Sequence, residues 1–274
     1  MIRQGNNIFN IGGSIPCLFD LDASKVIEAV RSTGVVITPA MRHYAHYLIS
    51  NMKNIGTWQL SNAVYGVVGG TAASHKWNWK DLRDVDAAFR LSFGAGTIHS
   101  STGALATTNN TNTFLNPNGI FTTNIHMSYY SGTNANPLIN VADMGFYGGS
   151  AAALYISIKR QNGINTGYSA FAENASGVLT AYLGRSDGYF IGNRESNSLS
   201  YFLGRGGIML TKSTVPGGTV PNGNIAIMGN AGTSITISPR ECRLATIGFG
   251  FTSLEQTQKQ QDIGTNAQLI LNRA

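Results

Sequence analysis

The sequence is poor in charged residues and cysteine, and each shortage excludes a class of protein. Charged residues make up only 12% of the 274 residues, whereas 42% are hydrophobic. Disordered chains have the opposite balance, so we expect a folded protein. The two cysteines, Cys17 and Cys242, are too few for a disulfide-stapled secreted domain, and we expect two reduced thiols. No apolar run approaches the length of a bilayer span, so membrane insertion is not expected.

The sequence also lacks any concentration of basic charge. The formal net charge is +6, but Lys and Arg are scattered from Arg3 to Arg273 without a basic helix face. Dispersed positive charge gives only weak, salt-sensitive association with phosphates, so nucleic acid is not expected as a partner. The N-terminal sequence MIRQGNNIFN has no signal-peptide layout, which predicts synthesis in the cytoplasm.

Glycine, in contrast, is abundant, with 33 residues that separate many short apolar segments. Short strands joined by frequent turns are typical of β-sandwiches and jelly rolls. Phe89, Leu91 and Phe93 alternate with polar residues and predict a half-buried strand. The other predicted strands are 64–68, 97–100, 121–130, 144–147, 152–158, 167–172, 178–182, 188–191, 200–203, 208–210, 225–228, 234–237 and 244–249. Strands and helices do not alternate, so the sequence predicts an all-β sandwich rather than a parallel α/β sheet.

Two helices are predicted before the sandwich. The first is a short helix at 24–33. The second begins at Thr38 and Pro39, a capping residue followed by proline at the first helical position, and ends before Gly56. Its apolar side chains recur at helical spacing and form one stripe, which consists of Met41, Tyr44, Ala45, Leu48, Ile49 and Met52. We expect this stripe to be buried against another surface.

The two ends of the chain differ in regularity. Residues 1–23 are apolar but follow no period, so we expect this arm to lie on its own domain or on a partner. At the other end, Thr252 and Glu255 have the spacing of a capping box and predict a final helix that runs toward Asn272. Gly264 lies inside that helix and is expected to divide it.

Few residues are arranged for chemistry. A glycoside hydrolase needs two carboxylates that face one groove, but the 13 acidic residues show no such pair on a predicted strand. An enzyme is therefore not expected, although a pair assembled from distant strands would make the protein a glycan hydrolase. His43 and His46 are three residues apart on a helix, but two imidazoles alone make a poor metal site. Asp143 or Asp187 could serve a calcium site, but no cofactor is expected.

The segment 80–86, KDLRDVD, alternates positive and negative side chains. We favour an internally neutralised turn that positions the next strand. The alternative interpretation is a loop that binds a ligand.

Several segments resemble a known family. In order, they are ITP at 37–39, residues 60–70, HKWN at 75–78 with Lys80 and Asp81, DAAFRL at 86–91, HSSTG at 99–103, IHMSYY at 125–130, and CRLATIGFGFTSLE at 242–255. Together they resemble the concanavalin A-like (laminin G-like) jelly-roll domains of tailed-phage virion proteins. The similar segments extend from about Thr38 to Arg273 and identify a fold rather than a chemical activity.

The resemblance implies a non-enzymatic structural protein of a virion, made in the host cytoplasm. We expect an N-terminal attachment and oligomerisation arm at 1–37, a helix at 38–56 and a concanavalin A-like jelly roll at 57–274. Residues 1–56 would contact other virion proteins or sister chains, with a trimer favoured. The jelly roll would be displayed outward.

A lectin-like jelly roll could also bind a glycan on the host cell surface. The aromatic and polar side chains of two loop regions are the candidate ligand-binding residues, because tyrosine rings stack on sugars and amides and guanidinium groups bind hydroxyls. These candidates are Tyr129, Tyr130, Tyr189, Asn193 and Arg194. The alternative for each one is a place in the core or in an interface.

Overall fold

A computed structural model describes most of the chain from Asp20 onward. The described residues are 20–118, 120–121, 124–135, 141–148, 153–161, 164–173, 179–183, 185–196, 199–207, 209–212, 220–233 and 235–273. Most of the predicted arm, with Cys17, lies outside them. No helix among these residues is long and apolar enough to cross a membrane.

The helices begin and end at the residues that local chemistry favours. They are α1 (Leu21–Arg31), α2 (Pro39–Asn54), α3 (Thr57–Leu60), α4 (Ala72–His75) and α5 (Leu254–Ile270). The Asp20 side chain caps α1 by accepting hydrogen bonds from the backbone N–H groups of Asp22 and Ala23. Thr38 caps α2 through the N–H of Met41, with Pro39 at the first position, which confirms the predicted start.

Between these helices the chain forms sixteen described strands. They are β1 (Ser61–Gly66), β2 (Ile98–His99), β3 (Ala104–Leu105), β4 (Thr111–Asn112), β5 (Ile125–Ser131), β6 (Met144–Tyr147), β7 (Ala153–Gln161), β8 (Ile164–Glu173), β9 (Leu179–Leu183), β10 (Gly188–Ser196), β11 (Leu199–Leu203), β12 (Met209–Lys212), β13 (Ala226–Ile227), β14 (Gly229–Gly232), β15 (Thr236–Ile237) and β16 (Cys242–Gly248). Each predicted strand from 121–130 to 244–249 overlaps one of them.

The strands form two sheets that face each other. Sheet 1 has the order β12-β11-β10-β5-β16-β3-β2, with β1 also paired to β16. Sheet 2 has the order β15-β14-β6-β7-β8-β9, with β13 paired to β4 and β6. All pairs are antiparallel except β14 with β6. A buried cluster that includes Tyr65, Tyr129, Met144 and Phe202 fills the space between the sheets. The predicted all-β sandwich is therefore confirmed.

A second buried cluster lies on the outer face of sheet 1, under a layer formed by α1, α2 and α5. The whole predicted stripe of α2 is buried there. It packs with α1 residues such as Val26 and Val30 and with sheet residues such as Tyr189 and Leu244. The apolar face of α2 is thus covered by the same chain, so it does not expose the surface from which oligomerisation was expected. Residues 20–56 share a core with the sandwich.

Three local predictions are wrong. Phe89 is not in a strand but follows a 3-10 turn with a φ of 58°, and of the segment 89–93 only Ser92 makes a bridge. The cap of α5 is Ser253, which accepts a hydrogen bond from the N–H of Gln256, instead of Thr252. Gly264 does not divide α5, which is continuous over 17 residues.

The charged segment 80–86 is irregular, as predicted, but its charges are neutralised only partly from within, because Lys76 and Arg90 lie outside it, and the strand expected after it is absent from the described residues. Arg83 pairs with Asp81, and Lys76 and Arg90 pair with Asp84. Arg90 also pairs with Asp86, with its Nε 2.9 Å from the carboxylate. Most of these groups are substantially exposed, so the pairs shape the turn and contribute little stability.

Candidate functional site

A cleft of about 350 Å³ opens where α5 crosses the ends of β5 and β10. Its lining combines aromatic, acidic, basic and amide groups, which come from Tyr130, Asp187, Gly188, Tyr189, Arg205, Gly207, Gln261, Asp262 and Thr265. Pockets of this size that combine an aromatic surface with a few polar groups are typical of small-ligand sites.

One wall of the cleft is α5, which lies unusually close to β10. A Cβ added at Gly264 would stand 2.2 Å from Cε1 of Tyr189, so only glycine permits this approach. The side chain of Gln261 holds the helix in place, because its Nε2 donates to the carbonyl oxygens of Tyr189 at 3.0 Å and Gly204 at 2.6 Å. Asp262 is exposed beside it at the cleft.

The opposite wall is formed by Asp187 and the 3-10 turn Arg205–Gly207. Arg185 donates two hydrogen bonds, of 2.8 and 2.9 Å, to the carboxylate of Asp187. Arg205 forms a further ion pair with the same carboxylate. Partial burial alone would raise the pKa of Asp187, but the hydrogen bonds from the two guanidinium groups outweigh it and lower that pKa. Asp187 is therefore a fixed anion and a hydrogen-bond acceptor.

The floor of the cleft consists of Tyr130 and Tyr189, which face each other across β5 and β10. Their rings are stacked, with centroids 5.9 Å apart and planes inclined by 26°. Burial raises the pKa of Tyr130, although Arg243 and Arg205 act in the opposite direction. Both phenols are therefore neutral.

A chain of buried hydrogen bonds supports the floor from below. Tyr189 Oη is 2.7 Å from Ser128 Oγ, which is 2.6 Å from Thr246 Oγ1, which is in turn 3.1 Å from Nε2 of His126. Gln260 Nε2 on α5 donates to the Tyr189 hydroxyl at 3.5 Å. The ring of Tyr189 is therefore held by polar contacts from both sheet 1 and α5, which makes the floor rigid.

The structure brings only two of the five candidate residues, Tyr130 and Tyr189, to the cleft. Tyr129 points into the core between the sheets and donates to the carbonyl oxygen of Arg240. Asn193 is buried and bonds the backbone of Phe251 in both directions. Arg194 is 1% exposed. All five candidate side chains are buried, including Tyr130 at 4% and Tyr189 at 1% exposure, and Tyr130 and Tyr189 differ from the other three in lining the cleft.

Sequence reasoning missed the residues that α5 and the turn after β11 contribute. Arg205, Asp262 and Thr265 carry no local pattern that marks a site. Asp187 was considered only as a calcium ligand, and its spacing from Arg185 was the one available signal of an ion pair. These residues meet because α5 folds back over sheet 1, which no local pattern predicts.

The other sites considered from the sequence have structural roles. Asp143 is fully buried and pairs with Arg240 at 2.9 Å, so it is not at a loop rim. His43 is exposed, and His46 accepts a hydrogen bond from the backbone of Asp20. Cys242 is a buried free thiol whose pKa is raised by burial. In the described part of the chain, no group of three metal-ligating side chains occurs.

No family model and no curated protein matches this sequence. The fold, however, resembles solved structures. The binding domain of botulinum neurotoxin serotype D is similar with a TM-score of 0.50 and 9% identity over 77% of this chain and 52% of that chain. This chain thus spans about half of that domain.

Two further similarities are weaker. Domain 4 of AbnA, an extracellular GH43 arabinanase of Geobacillus stearothermophilus solved with arabinotriose, has a TM-score of 0.44 and 10% identity over 73% of this chain and 98% of that chain. Trypanosoma rangeli sialidase has a TM-score of 0.41 and 9% identity over 85% of this chain and 40% of that chain. Only the similarity to the neurotoxin domain supports the fold, and the phage family stays a prediction.

Proposed function

We propose that the protein is a non-enzymatic binding module whose cleft holds a neutral sugar of a cell-surface glycan. The observation that carries the proposal is the cleft lining, in which two carboxylates, Asp187 and Asp262, stand beside Arg205 over an aromatic floor. Carboxylates accept hydrogen bonds from sugar hydroxyls, and the guanidinium group donates to ring and hydroxyl oxygens. A neutral sugar suits this lining better than an acidic one, because the carboxylates would repel a second anion.

The test is a glycan array probed with the full-length chain, followed by calorimetry on any glycan that is bound. Asp262→Ala should weaken binding at least tenfold, because Asp262 is exposed at the cleft and its loss removes an acceptor without opening the core. Glu255→Ala is the matched control, since Glu255 is an exposed acid on the same helix that does not line the cleft. A blank array, or equal affinities for the two variants, would refute the proposal.

We further propose that the module is a component of a tailed-phage virion, attached through its N-terminal segment as a trimer. The sequence resemblance supports this role. Because the apolar face of α2 is covered within the chain, the attachment would use residues 1–19 and the exposed Leu21 and Val36, which are 61% and 84% exposed. Multi-angle light scattering on the full chain should give the mass of a trimer, whereas a monomer at micromolar concentration would contradict this part.

A glycan hydrolase is the second candidate, because Asp187 and Asp262 come from different elements and line one cleft. The two arginines that lower the pKa of Asp187 prevent it from acting as a proton donor, so Asp262 would have to be the acid. Reducing ends released from host capsule, and lost in Asp262→Asn, would favour this activity. Glycan binding without release favours the binding module.

A further inference from the structure

The amide side chain of Gln261 connects three parts of the cleft. It extends from α5, where Asp262 is the next residue, and it is 7% exposed. Its Nε2 donates to the carbonyl oxygen of Tyr189 in β10 at 3.0 Å. The same atom donates at 2.6 Å to the carbonyl oxygen of Gly204, just before the turn Arg205–Gly207. Both hydrogens of this NH2 group therefore have backbone acceptors, one in the floor and one in the opposite wall.

Two other glutamines of α5 are fully buried, but their described contacts lie elsewhere. Gln260 is bonded to the hydroxyl groups of Thr57 and Tyr189. Gln268 donates to the hydroxyl group of Tyr44 at 3.3 Å and does not line the cleft. A buried amide on this helix therefore does not by itself join the two walls.

The carbonyl group of Gly204 matters because the turn that follows it carries Arg205. The stem of Arg205 lies against Gly188, where an added Cβ would be 3.2 Å from Cγ of Arg205. The guanidinium group of Arg205 then pairs with Asp187. Within the turn, the N–H of Gly207 also donates to the Gly204 carbonyl oxygen, at 3.3 Å. The start of the turn is thus attached to α5, and the place of Arg205 depends on that attachment.

We propose that Gln261 is the positioning residue of the cleft, which fixes the separation between Asp262 on one wall and Arg205 on the other. A displacement of either wall would leave a buried donor or acceptor without its partner, which costs free energy. That the walls bind a sugar rests on the proposed function, whereas their attachment through Gln261 does not.

The first test needs no ligand. Amide hydrogen exchange in the turn 205–207 is measured for the unmodified full-length chain, for Gln261→Met and for Gln268→Met. Methionine has nearly the shape of glutamine but cannot donate, so Gln261→Met should speed exchange in the turn by roughly tenfold or more. Gln268→Met is the matched control, because it also removes a buried amide from α5, and it should leave exchange in the turn unchanged.

The second test measures binding at the cleft by calorimetry, with glucose and galactose as neutral probes. For a probe that the unmodified chain binds, Gln261→Met should weaken binding by roughly tenfold or more, since the two walls no longer keep their spacing. Gln268→Met should bind as the unmodified chain does. The exchange result decides the role of Gln261 whether or not either sugar binds, so its failure is distinguishable from failure of the proposed function.

A purely structural role predicts a different pattern, in which both methionine variants lower the melting temperature and speed exchange in the turn equally. That pattern, or unchanged exchange in Gln261→Met, would overturn the proposal. If Gln261→Met does not fold, the side-chain NH2 group of Gln261 is followed by NMR in the unmodified chain. Slow exchange of both hydrogens would support the two bonds, and exchange as fast as in free glutamine would overturn them.

Discussion

Among individual residues, His126 shows how its surroundings determine a protonation state. Its Nδ1 is 2.7 Å from the carbonyl oxygen of Phe249, which can only accept, so Nδ1 carries the proton. Nε2 therefore accepts the hydroxyl hydrogen of Thr246. Burial lowers the pKa of His126 to about 4, against the effect of the Phe249 carbonyl. A second proton would break the polar chain beneath Tyr189.

We predict that stability falls in acid because of this histidine. The pKa of His126 is lower in the folded state than in the unfolded state, where it is about 6.5. The contribution of neutral His126 to the free energy of unfolding is therefore complete above pH 6.5. It is lost as the pH falls from 6.5 through 4, by roughly 3 kcal/mol in total. Urea unfolding at pH 7 and pH 4.5 should show the loss.

The controls for this prediction are two substitutions. His126→Gln should reduce the pH dependence, because glutamine can make both hydrogen bonds without titrating. His43→Gln, at an exposed position, should leave it as in the unmodified chain. Equal pH dependence in the His126→Gln and unmodified chains would contradict the assignment.

Part of the pH dependence of stability should remain in every variant, because His75 also titrates. Its Nε2 accepts the backbone N–H of Gly70 at 3.0 Å, so the neutral ring carries its proton on Nδ1 and donates to Nδ1 of His99, also at 3.0 Å. Burial, together with the neighbouring His99 and Arg273, lowers the pKa of His75 to about 3. Protonation of His75 thus costs free energy in the same pH window.

For the elements, the contact between α5 and β10 is the feature on which the cleft depends. Gly264 is in the middle of a 17-residue helix, where glycine normally costs up to about 1 kcal/mol relative to alanine. The chain tolerates that cost because the ring of Tyr189 occupies the space of a side chain. Packing against the sheet therefore outweighs helix propensity, and the break expected at this glycine does not occur.

We predict that Gly264→Ala destabilises the protein, although alanine is the better helix former. The new Cβ would meet the ring of Tyr189 at 2.2 Å, and overpacking of this kind costs about 1–3 kcal/mol. Asn266→Ala is the control, because Asn266 is exposed on the same helix and should be neutral or stabilising. The check is urea unfolding of both variants. A more stable Gly264→Ala protein would show that α5 does not lie this close to β10.

At the scale of the whole molecule, the packing of α1 limits how far the chain can be truncated from its N-terminus. Ala23, Val26, Ile27 and Val30 of α1 are buried in the cluster on the outer face of sheet 1. The predicted N-terminal arm of 1–37 includes these four residues. The buried side chains of α1 therefore belong to the same core as the outer face of sheet 1.

We predict different results for two truncations. Deletion of 1–19 should convert the proposed trimer to a monomer. Deletion of 1–37 should cost on the order of 5 kcal/mol, since each lost aliphatic side chain of α1 contributes roughly 1.5–3 kcal/mol, and should lower Tm by about 10–20 °C. Calorimetry and light scattering measure both effects. Equal melting temperatures would mean that α1 does not belong to the core.

Much of the fold was predictable because local patterns encode it. The start of α2 at Thr38 and Pro39 and the α2 stripe follow from capping and helical spacing. The strands follow from short apolar segments between turns. The strand at 89–93 failed because an alternating pattern cannot show that Phe89 adopts a left-handed backbone after a turn. The cap at Thr252 failed because two adjacent hydroxyl residues fit the same pattern.

The sequence alone thus determined the elements and the all-β class, since periodicity and capping depend on residues a few positions apart. Tertiary structure decided which strand faces are covered. Neighbours in one strand point to opposite faces, so Tyr129 packs between the sheets while Tyr130 reaches the cleft. The cleft exists because α5 brings Asp262 opposite Asp187, 75 residues earlier in the chain. That meeting depends on strand register and helix packing, which no short segment of sequence contains.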